Sequence, residues 1–80
     1  MTVNDAVATR ILQLLTQKNM TQYRLEQQSG IQHGHMQWIL NRKSKTVTLS
    51  TVMMIANGFG MTVLKFLDDD LFLYKNLDVE

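Results

Sequence analysis

The sequence predicts an all-α domain of five short helices, and three observations carry that expectation. Apolar residues recur at helical rather than alternating spacing, proline is absent, and hydroxyl residues precede the apolar runs while glycines follow them. A chain of 80 residues folds alone only by committing nearly all of its apolar side chains to one core, so a Rossmann pair, a barrel and a deep catalytic pocket are excluded.

The elements follow in order. Val7, Ile11, Leu14 and Leu15 stand at i, i+4, i+7 and i+8, the stripe of an amphipathic helix from about Asn4 to Lys18, with Asp5 in its first turn and Lys18 in its last. Thr21 supplies an N-cap oxygen for a two-turn second helix that carries Leu25 inward. Gly30 stops it, because glycine adopts the left-handed conformation that a sharp helix exit requires. The third helix, about Gln32 to Asn41, turns Met36 and Ile39 to the core with Leu40 beside them. Thr48 or Ser50 caps a fourth that buries Leu49, Val52, Ile55, Ala56 and Phe59 and ends at Gly60, with Met53 and Met54 as ordinary packing. Asn57-Gly58 is a hairpin signal, overruled here by the helical spacing that runs back to Leu49. Thr62 caps a fifth helix with Val63, Phe66 and Leu67, closed by Asp68-Asp69-Asp70. Residues 1–67 thus read as one domain and 68–80 as an acidic and apolar tail, either a dimerisation segment or a cover for the core.

Composition narrows the function classes. Cysteine is absent, which removes disulfides and thiolate chemistry and suits a cytoplasmic protein. The N-terminus lacks the basic start and apolar run of a signal peptide, and the longest apolar run, Val52 to Ala56, is far short of the roughly 20 residues of a membrane span, so no membrane partner is expected. Up to Lys45 the six bases Arg10, Lys18, Arg24, Arg42, Lys43 and Lys45 face Asp5 and Glu26, for a net +4. Beyond it Lys65 and Lys75 face Asp68, Asp69, Asp70, Asp78 and Glu80, for a net −3, so a polyanion is drawn to one end only. No nucleophile has a local base and no glycine-rich phosphate loop occurs. His33 and His35 point about 200° apart on a helix, without a further ligand nearby. No catalytic residue, metal or cofactor is expected.

Two short helices joined by a tight glycine turn, the second with a polar outer stripe and a basic loop after it, specify a helix-turn-helix. The stripe is His33, Gly34, Gln37 and Trp38, and the loop is Arg42-Lys43-Ser44-Lys45. The run from Thr21 through Ser29-Gly30-Ile31 resembles the second helix and turn of the lambda-repressor-like regulators, the group that includes Cro and Xre. Met36, Ile39 and Asn41 match that group's core and phosphate-binding positions, and Leu49 to Gly60 its fourth helix. The resemblance covers about residues 4 to 67 and implies a five-helix lambda-repressor-like DNA-binding domain with the helix-turn-helix at helices 2 and 3. Three residues depart from the family pattern. Glu26 replaces a small residue between the helices, Arg42 replaces a glycine after the asparagine, and Trp38 replaces a polar side chain.

Carried over, the resemblance makes Gln32, His33, Gly34, Gln37 and Trp38 base-facing, and Gln22, Asn41, Arg42, Lys43 and Lys45 phosphate-facing. Gln37 suits an adenine edge, His33 can donate to a guanine or a phosphate, and Trp38 offers an apolar face to a thymine methyl. The implied function is a sequence-specific regulator of double-stranded DNA, a repressor acting as a homodimer, with Leu71, Phe72, Tyr74 and Leu77 of the tail packing across the dimer or onto their own core. The alternative is a protein-interaction module or an antitoxin-type partner protein with secondary DNA binding, which Trp38 and the apolar tail also suit.

Overall fold

Among the described residues, threonine hydroxyls start four of the five α-helices. The computed structural model describes residues 1–44 and 46–79, so the expectation for Lys45 lies outside the described residues. The helices are α1 (Val3–Gln17), α2 (Gln22–Ser29), α3 (His33–Leu40), α4 (Leu49–Gly58) and α5 (Val63–Leu67), followed by single 3-10 turns at Asp70–Phe72 and Tyr74–Asn76. The all-α class is as the sequence predicts. Thr2, Thr21, Thr48 and Thr62 each accept from the backbone N–H three residues on, satisfying one of the donors a helix start leaves open. At Thr2 the cap is reciprocal, because the Asp5 carboxylate accepts from the Thr2 N–H at 3.0 Å while the Thr2 hydroxyl accepts from the Asp5 N–H at 3.0 Å. This box starts α1 at Val3, ahead of the expected Asn4, and Lys18 becomes the C-cap residue rather than part of the last turn.

Every helix contributes to one core of Val7, Ile11, Leu14, Leu25, Met36, Ile39, Val52, Ile55, Ala56, Phe59 and Phe66, joined by Ile31 from the turn. Leu49 is a correction: it lies 64% exposed, because the buried stripe begins one turn later at Val52 and the first residue of α4 overhangs it. Met53 and Met54 are a second, since successive helical residues turn by 100° and both leave the Val52–Ile55–Ala56 face for solvent.

Asn57-Gly58 makes no hairpin; Gly58 is the last residue of α4. Its requirement is space. A Cβ on Gly58 would stand 2.8 Å from the Ser29 Cβ, 3.0 Å from the Ser29 nitrogen and 3.1 Å from a Leu25 methyl, so glycine lets α4 close directly onto α2.

Arg10 carries a third correction. Counted with the basic half of the sequence, it is instead buried, donating from Nε to the Phe66 carbonyl at 2.7 Å and from a terminal nitrogen to the Lys65 carbonyl at 3.2 Å. Asp69 pairs with it at 3.4 Å. Its charge thus satisfies the open carbonyls at the end of α5 and joins α1 to the tail. The tail lies on its own chain: Phe72 packs against Phe66 with ring centroids 6.1 Å apart, and the Asp78 N–H donates to the Met1 carbonyl at 2.8 Å. Leu71 and Leu77 are half-buried, whereas Leu73, Tyr74 and Val79 stay exposed.

Candidate nucleic-acid interface

Gly30 positions the candidate surface. At φ 78° and ψ 10° it is left-handed, and its N–H donates to the Glu26 carbonyl at 3.0 Å, ending α2 so that α3 begins three residues later. Met36 and Ile39 are wholly buried, which fixes the rotation of α3 about its axis. With that rotation set, Gln32, His33, Gly34 and Trp38 are exposed and Gln37 is half-buried. Trp38 is 52% exposed, so it is no part of the core. A Cβ on Gly34 would meet nothing within 4 Å among the described residues.

The charged flank is less uniform than its sequence. Asn41 is the C-cap of α3 and Arg42 follows it with φ 58°, a left-handed backbone that costs a side-chain-bearing residue more than glycine. The Arg42 guanidinium turns back to α1, donating to the Thr9 hydroxyl at 3.1 Å and lying 3.6 Å from an Asp5 oxygen. Lys43 is exposed.

On the other side, where α2 meets the start of α3, four polar side chains form a chain of contacts. Gln22 donates from Nε2 to Glu26 at 2.8 Å, and His33 approaches the same carboxylate with Nδ1 at 2.8 and 3.1 Å. The Gln37 amide nitrogen stands 3.5 Å from His33 Nε2. Glu26 does not swing out to solvent: its side chain is 9% exposed, against 68% for His33. The Gln22 amide, and after it the His33 ring, hold its carboxyl below the usual range against the opposing effect of burial.

Two of the sequence-predicted contacts, Gln22 and His33, are therefore brought together through Glu26, which sequence reasoning treated only as a steric misfit. The spacing Gln22–Glu26 is i, i+4 and could have flagged the first bond, but the second spans the turn and needs the fold. Tyr23 was also missed. It is 68% exposed, borders the hollow lined by Gln22, Glu26, His33 and Gln37, and its hydroxyl accepts from Gln27 at 2.9 Å.

No described helix is long and apolar enough to cross a membrane. The family model for the Cro/C1-type HTH DNA-binding domain matches residues 10–68. No curated protein and no solved structure gives a match to the chain.

Proposed function

The chain belongs to the Cro/C1-type helix-turn-helix DNA-binding family, and from that premise we propose that it is a cytoplasmic, homodimeric repressor that reads the major groove with α3 and acts by occupying its site. The observation that supports this most is the outward stripe of α3, in which Gln32, His33, Gly34 and Trp38 are exposed beside Gln37 while the opposite face is locked into the core. In this reading Gln32, His33, Gly34, Gln37 and Trp38 meet base edges, and Gln22, Asn41, Arg42, Lys43 and Lys45 hold phosphates on either side. Arg42 contributes least of the bases, because its guanidinium already faces Asp5. Tyr23 joins the phosphate-facing group from the first turn of α2. The tail covers α1 and α5, and its exposed Leu73 and Tyr74 remain available to a second copy bound one helical turn away.

The test is selection of bound sequences from a random duplex pool, followed by affinity against salt. A palindromic motif is expected, with a log-log salt slope that Lys43→Ala flattens by about 1. Recovery of no motif, or a slope unmoved by Lys43→Ala, overturns the reading. The exposure of Trp38 at 52% and Leu64 at 79% favours the second reading, an antitoxin-type chain whose main partner is a protein. Trp38→Ala separates the two: loss of binding to the selected duplex by the folded variant supports the DNA role, and unchanged binding favours the partner.

A further inference from the structure

Glu26 joins α2 to the first turn of α3 by a polar contact, and a carboxylate there has a directional consequence. It has no proton to give, so it accepts from Gln22 at 2.8 Å and from His33 Nδ1 at 2.8 Å. A neutral imidazole that donates from Nδ1 has a bare Nε2. The Gln37 amide nitrogen, 3.5 Å from that nitrogen, is a donor only, which is the matching polarity. Two donors thus point one way along the series Gln37, His33, Glu26, and Gln22 donates into the carboxylate from the other side. The hollow they line adds one further titratable group, the Tyr23 phenol, whose hydroxyl is engaged by Gln27.

We propose that Glu26 is a specificity-determining positioning residue: it touches no base, yet by holding His33 through Nδ1–H it keeps Nε2 an acceptor, and when the Gln37 amide, 3.5 Å away in the free protein, turns to its own base edge, the single lone pair of Nε2 faces the groove and selects a base for its exocyclic amine. In the major groove cytosine offers N4–H and adenine N6–H, whereas guanine offers only acceptors at N7 and O6. The preference is therefore for cytosine or adenine at that position, the opposite of what a donating histidine would choose. This rests on the groove-reading function proposed above.

The test has two arms. In the free full chain, 15N spectra of the His33 ring, recorded where the spectrum itself shows the ring neutral, should report the Nδ1–H tautomer; an Nε2–H tautomer overturns the proposal without any variant. In the second arm, the position facing His33 is identified as the one whose preference His33→Ala erases in duplex selection. Wild type should favour cytosine or adenine there. Glu26→Gln, whose amide can present either end to the ring, should lose that preference by roughly five- to tenfold in favour of guanine, the low end of what a base contact discriminates, while preferences elsewhere hold. A folded Glu26→Gln protein with the wild-type preference at that position overturns the proposal and leaves groove reading standing. A wild-type pool without any preferred sequence instead removes groove reading itself, and this inference with it.

Discussion

α2 has two working faces, and they are built on opposite principles. Toward α4 the contact is dry and close, with Leu25 fully buried and Gly58 leaving no room for even a methyl group against Ser29. Toward α3 it is polar, with Gln22, Glu26 and His33 joined by directional bonds beside a solvent-open hollow. The dry face sets where α2 and α4 stand, through non-directional packing that tolerates no change of volume. The polar face sets what the side chains of α3 offer, through hydrogen bonds whose polarity matters more than their strength. Substitutions on the first should therefore act on stability and only secondarily on recognition, and those on the second the reverse.

Leu25→Ala is expected to have the largest effect, a loss of about 2–5 kcal/mol from the removed contacts and the cavity left behind. Urea denaturation would read it as a lower midpoint at unchanged slope. Gln22→Ala, on the polar side, should cost under about 1 kcal/mol, since it removes one part-exposed bond. Equal losses for the two variants would break the division between the faces.

Gly58→Ala should come next. Alanine is favoured over glycine inside a helix by about 1 kcal/mol, but here the new methyl meets Ser29 at 2.8 Å, and overpacking of a closed contact typically costs 1–3 kcal/mol. A net destabilisation by thermal unfolding is expected. A stabilised variant would mean that α4 can back away from α2 at little cost, and that the dry face is not what fixes the pair.

The two faces were not equally legible in the sequence. Helix spacing, threonine caps and Gly30 were all local signals, and the fold they specify is the one observed. The inward face of α3 was readable too, because Met36 and Ile39 leave only one stripe free. What failed depended on distance in space. Arg10 reads as one more base until Phe66 and Asp69, more than fifty residues on, claim it. Leu49 and the Met53-Met54 pair read as core because apolar content does not say where a helix overhangs its neighbours. Glu26 read as an obstacle, since nothing local links it to His33 across the turn.

Acid should act on the polar face of α2, and likewise on the Asp5 cap of α1, but not on the dry face. The carboxyls of Asp5 and Glu26 are both held below their ordinary range, Asp5 by the Thr2 backbone N–H and then the Thr2 hydroxyl, Glu26 by Gln22 and then His33. A depressed carboxyl binds protons more weakly folded than unfolded, so its contribution is fully present above the unfolded value near pH 4 and is lost as pH falls through the folded one. Thermal midpoints measured from pH 6 down to pH 2.5 should therefore fall below about pH 4.5, and less steeply in Glu26→Gln and in Asp5→Asn. The increment caused by Gly58→Ala should stay constant over the same range, because no titrating group lies in that contact. If the acid limb is as steep in both carboxyl variants as in wild type, the polar contacts do not hold these groups ionised.

Gly34→Ala has the smallest expected effect on stability and tests the outward side most directly. Gly34 has no left-handed backbone and, unlike at Gly58, a Cβ on it would meet no atom of the described residues within 4 Å, so none of them requires glycine in the first turn of α3. The intrinsic preference of a helix for alanine then applies unopposed, and the variant should be more stable by about 0.5–1 kcal/mol. A residue that weakens its own helix without serving the core fits a surface where something external comes close to the backbone. If that partner is the wall of the major groove, the added methyl should lower affinity for the selected duplex although the free protein is firmer. Thermal unfolding and duplex titration on the same preparation read the two signs together. A variant that is both more stable and tighter-binding would show that the groove does not approach α3 at Gly34, and would move the reading surface toward Gln37 and Trp38.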